Sequence, residues 1–294
     1  MKLLQKERKA IEFIRKASDL ALSMSDEGFH VAFSGGKDSQ TLYHLMQLSG
    51  CKFTAHMQVT TIDPPQLMRF VRHQYPEVQL HLPKKTMREL IIEKRMLPSR
   101  RARYCCKELK EHAGSGTCTC VGIRAAESVN RAKRQPIEKE LKRKPAYKPV
   151  YEIDGTSLVE KVGGFDLFDM KTETVVTCVK GTDKIILSPI FSWTDNDVWT
   201  FIRGNNIPYC NLYDEGHQRL GCLFCPMASK REKTLMLKQF PRFAERFYLP
   251  VIRQIMAMGS YASFDSAESV FDWWIGRDNI KTWHAKKTYA QLQF

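Results

Sequence analysis

Apolar side chains along this chain switch repeatedly between two spacings. Residues 1–24 place Leu4, Ile11, Ile14, Ala17 and Leu20 near one face of a helix. HVAFS at 30–34 is a short apolar run ending in SGGKDS, and TLYHLMQL then returns to helical spacing, so a strand, a Gly-rich turn and a helix are predicted in that order. KFTAHMQVT at 52–60 alternates Phe53, Ala55, Met57 and Val59, TIDPP punctuates it, and QLMRFVRHQY resumes the helical period. VQLHLP, TMRELIIEKRM and TCTCVGIR continue the pattern. Strands alternating with helices of about ten residues imply parallel βαβ units, with ligands taken at the carboxyl ends of the strands.

The pattern breaks near Arg131. RAKRQPIEKELKRKPAYKP is strongly basic, and the chain to about 183 holds short β-like runs such as TVVTCVK between turns, which reads as an insertion before KIILSPI. SWTDNDVWTFIRGN predicts a helix capped by Thr194 or Asp195, GCLFCP a loop, and the chain from Lys230 onward is helical, most clearly from Phe240 to Met258. The expected organisation is an α/β nucleotide-type domain over 1–190, with the insertion at about 131–183, and a Cys-bearing helical region over 191–294.

Composition narrows the class of protein. The hydrophobic fraction of 43% and charged fraction of 27% are globular, and no apolar run of about 18 residues is present, so neither a disordered chain nor a membrane span is expected. The charged first 24 residues do not read as a secretion signal. Nine cysteines without such a signal point to a reducing, cytoplasmic setting in which thiols serve metals, catalysis or packing. The formal net charge of +14 admits phosphate-rich partners.

Ser34-Gly35-Gly36-Lys37-Asp38-Ser39 follows a predicted strand and opens a helix, the context in which a Gly-rich turn becomes an anion site. The glycines admit close backbone approach, the helix N-terminus offers unpaired N–H groups, and Lys37 adds a full charge. Ser34 and Ser39 can donate to phosphate oxygens; Asp38 can cap the helix or reach a Mg2+ carried by a nucleotide. An ordinary capped turn is the alternative. The loop resembles the SGGxDS loop of the PP-loop superfamily, the adenine nucleotide alpha-hydrolase-like fold, which implies a doubly wound, mostly parallel five-stranded sheet with ATP or an equivalent anion at this loop.

Gly122-Ile123-Arg124-Ala125-Ala126-Glu127-Ser128 followed by Arg131, and SPIFSWTDNDVW, are similar to segments of the phosphoadenosine phosphosulfate reductase family, over residues 27–228. Physically, Gly122 at a strand end permits close approach, Arg124 and Arg131 offer forked donors for phosphate or sulfate, and Glu127 can hold one of them; a solvated surface salt bridge is the other reading. The resemblance implies a nucleotide site of Ser34, Gly35, Gly36, Lys37, Asp38, Ser39, Asp63, Gly122, Arg124, Glu127 and Arg131, with Lys37, Asp38 and Arg124 in the chemistry.

Cys105-Cys106 and Cys222-x-x-Cys225 form a second constellation. A CxxC loop converges two thiolates on one metal, and a second pair completes a four-sulfur site. The arrangement is similar to the 4Fe-4S pattern of adenylyl sulfate reductases and DNA phosphorothioation enzymes, which implies an iron–sulfur cluster; four-thiolate zinc is the rival, since spacing does not choose the metal. Cys118 and Cys120 share a strand face and read as small buried hydrophobes, Cys51 and Cys178 as structural, and Cys210 and His217 as packing, spare ligands or sulfur-handling groups.

Lys94 to Lys110 holds seven Lys or Arg against one acidic residue and Arg131 to Lys148 eight against two, so two segments carry 12 of the 14 excess charges. The first runs into Cys105-Cys106, where cations stabilise anionic sulfur. No cysteine follows Cys225 in this sequence, so the C-terminal thiol that sulfonucleotide reductases use is not seen. Three functions compete. The favoured one is ATP cleavage to AMP and pyrophosphate coupled to sulfur transfer, onto DNA or RNA in its leading version, with a cysteine desulfurase as sulfur donor or a thioredoxin-type reductant as partner. The second is reduction of adenylyl sulfate or its 3′-phosphorylated form through an unfamiliar thiol such as Cys210. The third is a non-catalytic nucleotide- or nucleic-acid-binding subunit. A homodimer is admitted by all three.

Overall fold

The computed structural model describes residues 3–111, 113–141, 177–180, 184–276 and 281–283. Its elements run α1 (Leu3–Lys16), α2 (Ser18–Met24), β1 (Phe29–Phe33), α3 (Lys37–Ser49), β2 (Phe53–Gln58), α4 (Pro65–Gln74), β3 (Gln79–His81), α5 (Met87–Lys94), α6 (Tyr104–Leu109), β4 (Cys118–Cys120), α7 (Val129–Ala132), β5 (Ile137–Leu141), β6 (Thr177–Lys180), β7 (Lys184–Leu187) and α8 (Asp195–Gly204). Then follow α9 (Lys230–Gln239), α10 (Pro241–Phe243), a π-turn at Ala244–Tyr248, α11 (Leu249–Ala257) and α12 (Ala267–Gly276). The chain divides into two compact units, one of residues 1–58, 66–81 and 112–210, the other of 59–65, 82–111 and 211–294.

The first unit contains a seven-stranded sheet of order β3-β2-β1-β4-β7-β5-β6. Its five strands β3 to β7 in that order pair in parallel, as the alternation of strands and helices predicts. The extension comes from the insertion: β5 joins β7 antiparallel and β6 joins β5 in parallel. The rest of the insertion, 142–176 and 181–183, lies outside the described residues. Phe29, Val31 and Phe33 point to one face with Ala55 and Met57, all buried, and Tyr43 of α3 packs edge-on against Phe33 and Phe53. Each of the Phe, Val and Met side chains contributes about 1.5–3 kcal/mol when fully buried. The N-terminal stripe is confirmed at Ile14, Ala17 and Leu20, but Leu4 is 58% exposed and the helix breaks at Ala17 into α1 and α2. Thr194 is the cap of α8, accepting from Asp197 N–H while the Asp197 carboxylate returns to Thr194. Lys6 of α1 pairs with that carboxylate.

β1 lies between β2 and β4, and the chain leaves it in opposite directions along the sheet, so the carboxyl ends of β1 and β4 are a topological switch point where ligands of doubly wound sheets bind. SGGKDS follows β1 and Gly122 follows β4 there.

The second unit is helical. Pro250 at the start of α11 cannot continue the helical hydrogen-bond ladder, and the chain before it takes the π-turn that contains Tyr248. Tyr248 is buried among Phe224, Phe271 and Trp274. Buried Lys233 of α9 donates to the Trp274 carbonyl at 3.4 Å and lies over that indole. No helix among the described residues is long and apolar enough to cross a membrane.

Candidate functional site

In the first unit, β1 ends at Phe33 and the backbone turns through Gly35 at φ +70° into α3. A Cβ at Gly35 would lie 2.6 Å from Val71 Cγ2 and 2.7 Å from Leu67 Cδ1, so glycine is required there for conformation and for space. Gly36 caps α3 without a side chain, and Ser39 closes the turn: its hydroxyl accepts from Ser34 N–H at 3.1 Å, meets Ser34 Oγ at 3.1 Å and donates to Gly36 O at 2.9 Å. The two serines shape the loop through each other.

Charge gathers beside this turn. Lys37 is 4% exposed and Arg124 2% exposed. Arg124 Nε donates to Asp38 Oδ1 at 2.7 Å, Nη2 to Asp195 Oδ1 at 3.0 Å and Nη1 to the Trp193 carbonyl at 3.4 Å. Lys37 Nζ lies 3.1 Å from Asp195 Oδ1 and 3.8 Å from Asp38 Oδ2. Two buried cations are thus balanced by two carboxylates, the arrangement that makes burial tolerable. Arg124, expected as a forked donor to an anion, spends its fork on aspartates and a carbonyl and so braces Asp38. Glu127 accepts from Arg124 N–H at 3.2 Å and pairs with Arg131. Gly122 permits a close approach, and what approaches is protein: a Cβ there would lie 2.9 Å from the carbonyl carbon and oxygen of Asp38.

Ser34, Gly35, Gly36, Lys37, Asp38, Ser39, Gly122, Arg124, Glu127 and Arg131 therefore all fall in the first unit. Asp63 belongs to the second, where its carboxylate accepts from Thr60 N–H at 2.6 Å. Sequence reading missed Asp195, which looked like a candidate cap. Thr194 takes that role and leaves Asp195 to bridge Lys37 and Arg124, a contact across 158 residues of sequence from Lys37 that no local spacing signals.

The second cluster lies wholly in the second unit. Cys105 and Cys106 occupy the first turn of α6, Cys222 and Cys225 the loop before α9, and all four are half-buried. Cys105 is hydrogen-bonded to Cys106 and feels the charges of Cys106, Cys222 and Cys225. That bond, burial and the other sulfurs raise the Cys105 thiol. Cys106 is lowered to about 5, first by the bond from Cys105 and further by Arg103, against burial. Arg103 Nη2 donates to Cys106 Sγ at 3.3 Å, and Lys110, raised by Cys222 and Asp63, donates to Cys222. Cys222 Sγ lies 3.4 Å from Thr60 Oγ1. Burial raises Cys225.

Surrounding bonds hold the two thiol segments. Leu223 N donates to Ile62 O at 2.8 Å, Tyr248 Oη to Leu223 O at 3.1 Å, and Phe224 N to Met236 Sδ at 3.1 Å. Trp274 Nε1 donates to Pro98 O at 2.7 Å and Leu97 N to Tyr261 Oη at 2.9 Å, fixing the run into α6. The four sulfurs share a neighbourhood, yet among the described residues no three Cys, His, Asp or Glu are already closed into a metal-binding group. Cys118 and Cys120 are fully buried in β4, with the Cys118 thiol pushed up to about 12 by burial, as expected of packing cysteines. Cys210 is 1% exposed.

A mostly parallel sheet whose switch point carries SGGKDS, with its lysine buried beside two aspartates, defines a PP-loop fold. The model of the phosphoadenosine phosphosulfate reductase domain matches residues 28–228, and the chain belongs to that family. It is similar to the uncharacterised protein MJ0973 of Methanocaldococcus jannaschii, 25% identical over 248 residues that cover 82% of this chain and 51% of that one. It is also similar to the adenosine 5'-phosphosulfate reductase of Oceanobacillus iheyensis, 25% identical over 54% of this chain and 53% of that one. The Candida glabrata FMN adenylyltransferase in complex with FAD and inorganic pyrophosphate overlays with a TM-score of 0.43 at 16% identity, over 75% of this chain and 65% of that one. The chain spans about half the length of the curated relatives it matches.

Proposed function

We propose that this chain binds ATP at the 34–39 loop, cleaves it to AMP and pyrophosphate by transferring the adenylyl group to a substrate oxygen, and serves a sulfur transfer in which sulfur then displaces AMP. Support comes from the buried Lys37 set against Asp38 and Asp195 at the switch point. Asp195 has a side chain 61% exposed, so an arriving phosphate can replace this screened carboxylate as the partner of Lys37 without leaving the ammonium unpaired. Lys37 and the loop amides would then stabilise charge building on the departing pyrophosphate, and Asp38, braced by Arg124, would hold the Mg2+ that accompanies the nucleotide. Adenylyl sulfate is the related anion the same loop would take.

The donor chemistry of the second cluster fits an anionic metal–sulfur group: four thiols, one already inclined to ionise, with Arg103 and Lys110 donating to sulfur. Cys105, Cys106, Cys222 and Cys225 would hold a 4Fe-4S cluster, with zinc as the alternative ion. When bound, such a cluster supplies an iron that holds or activates sulfur. A desulfurase-type donor would deliver that sulfur.

Arg95, Arg100, Arg101 and Lys107 are exposed in the same unit, which supports a phosphate-rich acceptor such as DNA or RNA. Direct reduction of a sulfonucleotide through Cys210 is disfavoured, because a nucleophilic thiol must be reached and this one is buried. The test is release of AMP and pyrophosphate from ATP by anaerobically purified protein, with and without DNA or RNA, beside iron and sulfide content. Turnover lost in Lys37→Ala supports the reading. Binding of ATP without turnover under every condition would leave a nucleotide-binding subunit instead.

A further inference from the structure

His217 lies five residues before Cys222 and is 5% exposed. Both of its ring nitrogens face acceptors. Nδ1 is 2.8 Å from Glu232 Oε2 and Nε2 is 2.5 Å from Gln239 Oε1. The orientation of the Gln239 amide is fixed independently, since its nitrogen donates to Glu215 Oε2 at 3.1 Å and to the Glu215 carbonyl at 3.4 Å, turning the amide oxygen to the ring. An imidazole with acceptors on both sides satisfies both only as the doubly protonated cation. Glu232 and Gln239 stand seven residues apart, two turns of α9, and so present one face to the ring.

Glu232 also grips the adjoining backbone. Its other oxygen accepts from Gln218 N–H at 2.8 Å, while Ser229, the cap of α9, accepts from Glu232 N–H at 3.1 Å. Residues 219–228, which carry Cys222 and Cys225, are therefore pinned at both ends to the first turn of α9. One end is held by the His217–Glu232–Gln218 contacts and the other by the helix cap.

We propose that His217 is a positioning residue: a buried imidazolium that, through Glu232 and Gln239, fixes the loop bearing Cys222 and Cys225 and so preorganises those thiols for the metal group. The metal half of this statement rests on the reading of the four cysteines given above; the clamp itself does not. Burial alone would depress the imidazole, but the bonds to Glu232 and Gln239 and the charges of Glu232 and Glu215 outweigh it and raise it above 6.5. Burial likewise raises Glu232, and the bonds from His217 and Gln218, with the charges of His217 and Arg231, bring it down. The sign follows: the folded state holds the proton more tightly than the unfolded chain, so the stabilisation is complete below about pH 6.5 and is lost as pH rises through the raised value. The charges acting on the ring include Glu232 of α9 and Glu215 of its own loop, and Arg231 acts on Glu232.

Nitrogen-15 NMR of the imidazole and amide hydrogen exchange of the full-length, metal-free protein test the clamp. The expected spectrum has both His217 nitrogens protonated at pH 6. Glu232→Gln and His217→Gln should each lower protection of 219–228 by about tenfold, with the sheet of the first unit unaffected, and wild-type loop protection should fall with rising pH while His217→Gln shows no such slope. Titration with ferrous or zinc ion then reads the metal half, with about tenfold weaker binding expected in both variants. A singly protonated ring at pH 6, or unchanged loop exchange in both variants, would overturn the clamp. Failure of wild-type protein to bind either metal while loop protection responds as stated would instead remove the metal reading and leave the clamp standing.

Discussion

Gly122→Ala places a methyl group 2.9 Å from the carbonyl carbon and oxygen of Asp38 and 3.1 Å from Ser39 N, where ordinary contact begins at 3.4 Å. All three atoms are backbone of the first turn of α3, so no side chain can swing aside, and the turn must retreat from the end of β4 by about 0.5 Å, the gap between 2.9 and 3.4 Å. Overpacking of this kind costs about 1–3 kcal/mol, which for a unit of this size corresponds to roughly 2–4 °C in Tm per kcal/mol. The displaced turn carries Lys37 and Asp38, so ATP affinity should fall along with stability. Gly204→Ala is the control: beyond its chain neighbours and its own helix backbone no atom lies within 4 Å of its Cβ, its φ is not positive, and it ends α8, so the exchange should be neutral or stabilising by up to about 1 kcal/mol. Urea unfolding followed by circular dichroism, with calorimetric ATP titration, measures both. Were Gly122→Ala within about 0.5 kcal/mol of wild type, the close approach of β4 to α3 would not be what requires glycine.

Arg124→Ala strips Asp38 and Asp195 of their buried partner and should cost about 2–4 kcal/mol, below the full range for a broken buried pair because Asp195 is exposed, whereas Asp195→Asn should cost under about 1 kcal/mol; urea unfolding separates them. His30, stacked on His56 at 4.1 Å, is lowered to about 4 by burial and by the charges of His56, Lys184 and His81. The unfolded chain therefore binds the extra proton between about pH 6.5 and 4, and stability should fall through that window by about 1–2 kcal/mol after screening, an acid slope that His30→Gln should flatten in pH-dependent unfolding. In metal-free protein the vicinal pair Cys105-Cys106 should give up its first proton near pH 5, read from the pH dependence of alkylation, and Arg103→Ala should move that midpoint upward while Cys118, Cys120 and Cys210 stay unreactive. Tyr248→Phe removes the hydroxyl that holds Leu223 O and should cost about 1–2 kcal/mol, with faster amide exchange confined to the Cys222 loop.

Periodicity and punctuation settle a good deal of this molecule without any coordinates. The alternating runs at 30–34, 52–60 and 118–120 become adjacent parallel strands because side chains buried on a sheet must repeat every second residue, and the Gly-Gly turn after the first of them opens a helix as its context predicts. Cys222-x-x-Cys225 likewise announces convergent thiols by spacing alone. Other features depend on which distant segments meet. Arg124 has the chemistry of an anion clamp, yet packing hands its fork to Asp38 and Asp195. Asp63 follows a predicted strand but falls in the second unit, held by Thr60. His217 carries no local sign of being an imidazolium, because its charge state is fixed by two α9 side chains 15 and 22 residues away. Local periodicity determines which residues form an element and which face they bury; protonation, bracing and the partners of buried charges are set by long-range contacts, and only the folded chain decides those.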